Sequence, residues 1–334
     1  MEDLSRKKHF IGCDVSKDTL DFGLFIPKTD FRKFPHLKVE NTPNGYREVV
    51  SWLRKQGVKP TEMVVAMEHT GIYSNDFAEW LYGKKIAFTM LHPLAVKNSF
   101  CNGRNKTDKV DAQYIADYVY TQREKLSESQ PEPAEIKALR GLMNERKIAV
   151  KARTMFSCML KTQKDKDIRK RTESTIKELD RQIKTVEKDL LSRIQDSPEL
   201  KKNYDLLISI KSIGLINATA TIIATANFTK FNTARQYAKF CKVSPLEFQS
   251  GTSVRGGTHV PTMGHTELKS LLTAAAKSAI VHDVQLKTYY DRKRAQGKTH
   301  GCVMNAIKFK LIERMFCVIK RGTPYVNTES YRSK

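Results

Sequence analysis

The chain has 334 residues, of which 59 are Lys or Arg and 36 are Asp or Glu, giving a formal net charge of +23. That length supports two or three domains with cores of their own, and that charge costs self-repulsion unless a polyanion offsets it, a role nucleic acid fills better than a membrane surface. No apolar run approaches the roughly 20 residues of a spanning helix, MEDLSRKKHF lacks the apolar centre of a signal peptide, and six scattered cysteines with no CxxC pair argue against a zinc ribbon or disulfide framework and fit a reducing cytoplasm.

The first 122 residues read as a mixed α/β sheet with helices on its faces. HFIGCDVSK is a short strand carrying Asp14, and TLDFGLF follows after a turn at Ser16–Lys17–Asp18, so the two form a hairpin; a third strand around Arg32–Glu40 completes a meander. Tyr46, Val49, Val50, Trp52 and Leu53 fall at helical spacing and Gly57 ends that helix. MVVAMEHTG gives a strand with Glu68 at its C-terminal end; Asn75 to Tyr82 is a helix and IAFTML a strand. RNKTDKVDAQYIADY then opens a helix that Thr107 can N-cap. Asp108 and Asp111 lie three residues apart there, neighbours on one helix face, flanked by the basic Arg104, Lys106 and Lys109.

Each acid alone also reads as a local cap or a dipole partner. Together they form a pattern. Asp14 and Glu68 end strands, where α/β sheets gather their sites, and Asp108 and Asp111 start a helix. Four convergent carboxylates would suit two Mg²⁺ ions acting on a phosphodiester.

QREKLSESQPEPAEIK reads as a linker. Glu135 to Lys161 is a helix, KTQKDKDIRKR a basic break, and Ile176, Leu179, Ile183, Val186 and Leu190 mark a heptad seam on a second helix. The pair suits either an antiparallel hairpin on its own chain or a dimerising coiled coil. From about residue 204, two apolar helical runs meet at Lys211–Ser212–Ile213–Gly214, a partial helix-hairpin-helix pattern or a plain helical turn. FQSGTSVRGGTHVP is a Ser/Thr/Gly-rich stretch holding Ser250, Arg255 and His259, either a surface loop or a place where backbone approaches a ligand. Two helices close the chain, Glu267 to Asp283 with Lys269, and Gly301 to Lys320 with a basic face of Lys308, Lys310, Arg314 and Lys320. Between them YYDRKRAQGKTHG reads as a basic loop with Arg292, Lys293 and Arg294, suited to phosphate contact and stacking; its Tyr289 and Tyr290 rank below Ser250 as nucleophiles.

FIGCDVSK, AMEHTGIY, RNKTDKVDA, SIG, ARQYAKF, QSGTSVRG and GH followed by LK, in that order over residues 8 to 325, resemble the DEDD transposases of bacterial insertion sequences, the recombinases guided by a bridge RNA. The resemblance implies an RNase H-fold, RuvC-like domain (1–122), a linker and coiled-coil connector (123–203) and a mostly helical C-terminal transposase domain with a serine loop (204–327). It implies that Asp14, Glu68, Asp108 and Asp111 bind Mg²⁺, with Mn²⁺ able to substitute, and that Ser250 attacks DNA to form a phosphoserine link. It further implies double-stranded donor and target DNA and a structured guide RNA as partners. A homodimer or homotetramer follows too, with the site completed between subunits, in the bacterial cytoplasm at the nucleoid. Thr262 and Met263 stand where relatives often carry a Lys before the Gly, and Lys269 stands where Arg is usual. A RuvC-like nuclease or junction resolvase using water, and a non-catalytic nucleic-acid scaffold, are the competing functions.

Overall fold

The computed structural model describes residues 4–68, 71–91, 96, 107–244, 246–250, 254–259 and 264–326, with 71–72, 246–250 and 254–259 as backbone. It divides into two compact units, Met1–Pro131 and Glu132–Lys334.

The first unit is built on strands β1 (His9–Val15), β2 (Thr19–Leu24), β3 (His36–Glu40), β4 (Met63–Glu68) and β5 (Ala87–Leu91), in the order β3-β2-β1-β4-β5. β1, β2 and β3 are antiparallel neighbours, whereas β1, β4 and β5 run parallel. This mixed sheet is the expected RNase H/RuvC-like arrangement. The third strand is shorter than the sequence suggested, because Phe31–Lys33 forms a single helical turn capped by Asp30.

Side chains alternate along each strand, which sorts this unit into two cores. Ile11, Cys13, Phe22, Met63, Val65 and Met67 face α1 (Pro43–Lys55) and α2 (Asn75–Gly83). Phe10, Val64, Ala66, Ala87 and Leu91 face the other way and pack on Ile115 and Val119 of α3 (Asp108–Gln122). Gly12, Asp14 and Glu68 belong by the same alternation to the α3 side.

The second unit begins with two long antiparallel helices, α4 (Ala134–Thr162) and α5 (Lys166–Gln195), cross-linked by Arg146 Nε to Glu187 Oε1 at 2.7 Å and by Arg153 to Asp180. They form a hairpin within the chain. The basic break expected between them shrinks to Gln163–Asp165: Asp165 accepts from the amides of Asp167 and Ile168 and starts α5, so most of the basic run is helical. Ile136, Leu139, Leu190 and Ile194, at the root of the hairpin, join one core with α6 (Pro198–Ile208), α7 (Leu215–Ala224), α8 (Ala234–Phe240), α9 (Thr266–His282), α10 (Val284–Ala295) and α11 (His300–Arg321).

Three further readings change. The stretch around Ser250 contains an antiparallel hairpin, β6 (Leu246–Ser250) with β7 (Val254–His259). The basic stretch at 289–294 is not a loop but the last two turns of α10, since Asp283 caps that helix by accepting from Leu286 N–H. The basic face of α11 is also reduced: Lys308 is buried, and Arg314 turns inward to Asp283 at 2.6 Å.

Candidate active site

Two glycines set this site. Gly12 and Gly23 face each other across β1 and β2. A Cβ on Gly12 would lie 2.1 Å from Ala112 O and 2.3 Å from Ala116 N, and one on Gly23 would lie 2.6 Å from Gln113 Cα. The backbone of α3 therefore rests directly on the backbone of the sheet, with Ala112 and Ala116 as the small residues on the helix side. Any larger pair would lift the helix away. Thr107 caps α3 as the sequence predicts, its hydroxyl accepting from Val110 N–H. Asp108 and Asp111 thus occupy the first turn of a helix clamped to the strand that carries Asp14.

Glu68 comes from the neighbouring strand. Cys13 pairs in parallel with Met67, so Asp14 and Glu68, each one residue further on, stand side by side at the strand ends. The electrostatics record the convergence. Burial, and then the charges of Asp111, Asp108, Glu68 and Asp21, push Asp14 up to about 6 from the usual carboxylate range. A carboxylate held among others resists losing its own proton.

Asp21, Lys38 and His36 belong to this surface, and the sequence reading passed over their role. Asp14 pairs with Asp21 and Asp21 with Lys38 across the meander, so the three form one row on the α3 side of the sheet. Asp21 is buried and holds His36 Nε2 at 2.7 Å and Lys38 Nζ at 3.3 Å. The same Lys38 ammonium lies 3.6 Å from Asp108 Oδ2, and its two carboxylate neighbours, Asp21 first, raise its pKa. Hairpin register was the signal that could have found this row: once Asp14 faces the helix, the residue opposite it does too.

Among the described residues no three His, Cys, Asp or Glu side chains close around a single point. Mg²⁺ does not require such a cage, since it keeps several waters and takes one or two carboxylates plus substrate phosphates. Carboxylate oxygens with surplus negative charge fit a hard divalent cation by donor chemistry.

The other predicted contacts are scattered. Lys109 is exposed on the first turn of α3; Arg104 and Lys106 lie outside the described residues. In the second unit Ser250 is the last residue of β6, paired with Val254, and Arg255 sits on β7 opposite Gln249. Lys269 is half-buried one turn into α9. Arg292, Lys293 and Arg294 form the basic last turn of α10, with Arg292 over the Tyr289 ring at 5.7 Å. Tyr290 is tied to His300 Nδ1 at 2.8 Å.

Two family models match this chain. One, described as "Transposase" and built on the DEDD transposases of IS110, covers residues 11–163 and so spans all four acids. The other, described as "Transposase IS116/IS110/IS902 family", covers residues 204–291 and includes Ser250. The chain belongs to the IS110 family of DEDD transposases. Membership makes it a DNA transposase or recombinase, with DNA as its substrate. Among its relatives are the pilin gene-inverting proteins of Moraxella bovis and Moraxella lacunata, each 26% identical over 329 residues, covering 95% of this chain and 98% of the relative. A third is the "Insertion element IS110 uncharacterized 43.6 kDa protein" of Streptomyces coelicolor, 32% identical over 120 residues, which are 36% of this chain and 29% of that protein. No helix among the described residues is long and apolar enough to cross a membrane.

Proposed function

We propose that this IS110-family member is an RNA-guided DNA recombinase of an insertion sequence, which cleaves and rejoins DNA through Ser250, with Asp14, Glu68, Asp108 and Asp111 holding Mg²⁺. The observation that carries the reading is the convergence on Asp14 of Glu68 from the neighbouring strand and of Asp108 and Asp111 from the helix clamped on Gly12, where burial first and then these charges push Asp14 up to about 6. Bound there, Mg²⁺ supplies charge neutralisation for a phosphate oxygen. The inverting activity in the names of the Moraxella relatives supports breaking and rejoining of DNA rather than hydrolysis. Guidance by RNA and assembly of the site between subunits rest on the motif resemblance, and the +23 charge supports a polyanionic partner beyond the DNA itself.

The chemistry asked of the chain is a balanced transfer. Ser250 Oγ bonds to phosphorus as one P–O bond to the neighbouring deoxyribose breaks, and the serine proton ends on the departing hydroxyl. The phosphoserine keeps a diester, so the reverse attack by a DNA hydroxyl rejoins a strand without ATP. The test is donor DNA incubated with the RNA-loaded protein, resolved under denaturing conditions. A covalent protein–DNA band that disappears in Ser250→Ala supports the reading. Cleavage with free DNA ends in Ser250→Ala would show water as nucleophile and the chain as a RuvC-like nuclease.

A further inference from the structure

Several segments of the first unit meet at one side chain. Asn41 follows β3 directly and is partly buried. Its Nδ2 donates to Ser16 O at 3.0 Å and to Tyr73 O at 3.1 Å. Its Oδ1 accepts from the Tyr46 hydroxyl at 2.7 Å, and its backbone N–H donates to Asp18 O at 2.9 Å. The amide therefore has one orientation, since turned over its oxygen would face two carbonyls. Tyr46 is buried on α1 against Phe77 and Trp80, so the hydroxyl that fixes Asn41 is itself held in place.

The two carbonyls belong to the segments that leave the acid strands. Ser16 comes two residues after Asp14, and Tyr73 five after Glu68. The paired register of β1 and β4 ends at Cys13 and Met67, so both acids stand where the strands have left their shared ladder. β1 continues to β2 on one side of the sheet and β4 to β5 on the other, the place where such sheets open. The β1–β2 turn does not need Asn41 for its own closure: Ser16 N–H and Oγ–H both donate to Thr19 O, and Thr19 N–H donates back to Ser16 Oγ. What the Asn41 amide adds is a brace from one acid strand's exit to the other's.

We infer that Asn41 is a positioning residue that fixes the spacing of Asp14 and Glu68 and thereby sets the preference of the acid site for Mg²⁺ over a larger cation. The inference rests on the proposed role of those acids in holding the ion. Mg²⁺ demands near-ideal octahedral geometry, whereas Ca²⁺ accepts irregular sets of roughly six to eight oxygens. A brace across two ligand-bearing strands therefore matters more to the smaller ion. Asn41 acts through the backbone of Ser16 and Tyr73, as groups outside the ligand set commonly tune a metal site.

The test is titration calorimetry of the full chain with Mg²⁺ and with Ca²⁺, without nucleic acid, joined by melting temperatures. The proteins are wild type, Asn41→Ala, Tyr46→Phe, Thr42→Ala and Asp14→Asn. Asn41→Ala loses about tenfold in Mg²⁺ affinity and keeps its Ca²⁺ affinity within about threefold. Tyr46→Phe keeps the buried ring but frees the Asn41 amide, and it shifts the Mg²⁺-to-Ca²⁺ ratio the same way by less. Thr42→Ala is the control for stability alone: its hydroxyl caps α1 by accepting from Gly45 N–H, so the variant melts lower at an unchanged ratio. The inference is overturned if Asn41→Ala keeps the wild-type ratio, whether both affinities hold or fall together. It is overturned equally if Tyr46→Phe leaves the ratio unshifted, which decides the matter should Asn41→Ala not fold, or if Thr42→Ala shifts the ratio as far. A wild type that binds neither ion, or Asp14→Asn binding both unchanged, overturns the acid-site reading and this inference with it. Binding that requires Asp14, beside an unshifted Asn41→Ala, overturns this inference alone.

Discussion

Gly12 of β1 lies so close to Ala112 of α3 that a Cβ on the glycine would come within 2.1 Å of the alanine's carbonyl oxygen. The contact is backbone against backbone, and it fixes Asp108 and Asp111 over the strand that holds Asp14. Gly12→Ala is expected to destabilise the protein by about 3 kcal/mol or more, because neither a helix nor a central strand can yield as a side chain does. Gly83→Ala is the control: nothing lies within 4 Å of its Cβ direction, and its effect is expected within about 1 kcal/mol of zero. Urea unfolding of the two variants decides it.

Asp14 predicts how the metal-free protein responds to pH. Its folded pKa is about 6 against an ordinary value of 3.8, so between those values the folded state binds a proton the unfolded chain has released. This contribution is fully present below about pH 4 and is lost as pH rises through 6. Asp14→Asn removes the penalty. At pH 7, without divalent cations, it is expected to raise stability by about 1–3 kcal/mol, a range discounted for partial exposure. Its stability profile between pH 4 and 7 is also flatter than wild type. The same variant is expected to abolish DNA cleavage, read on labelled donor DNA.

Lys38 spans Asp21 at 3.3 Å and Asp108 at 3.6 Å and serves as a built-in cation of the carboxylate surface. If Mg²⁺ binds at Asp108 as proposed, it meets that charge there. Lys38→Met is therefore expected to bind Mg²⁺ or Mn²⁺ several-fold more tightly by titration calorimetry. Weaker binding would mean that Lys38 orients Asp108 for the ion rather than opposing it.

In the second unit Asp283 is buried, caps α10 and accepts from Arg314 at 2.6 Å. Arg314→Met leaves that carboxylate without its cation and is expected to destabilise by about 3–5 kcal/mol. Asp283→Asn combined with Arg314→Met recovers much of the loss, measured as a double-mutant cycle in urea.

Much of the acid site was legible because strand ends and helix starts carry punctuation. Asp14 and Glu68 close apolar runs, and Thr107 announces the helix that brings Asp108 and Asp111. What the sequence concealed was the closeness of packing. Gly12, Gly23, Ala112 and Ala116 are too small to register in an apolar periodicity, yet they decide how near the helix comes. The row from Asp14 through Asp21 to Lys38 depends on strand register, which single-residue patterns do not carry. Charge alone places Lys308 and Arg314 on a basic face of the last helix. Which side of α11 meets α9 and Asp283 is a tertiary fact, and it reverses the meaning of both residues. The basic run at 289–294 reads as a loop because its polarity masks the Asp283 cap that starts its helix.

The central claim is that the four acids and Ser250 serve one phosphoryl transfer. The most direct measurement traps the protein on donor DNA in the presence of Mg²⁺ and its guide RNA, digests the adduct and maps the DNA-bearing residue by mass spectrometry. The account predicts a single phosphodiester-linked peptide with the modification on Ser250, absent when Asp14, Glu68, Asp108 or Asp111 is replaced by its amide. A modification on Tyr289, Tyr290 or any other residue, or cleaved DNA with no adduct at all, would contradict it.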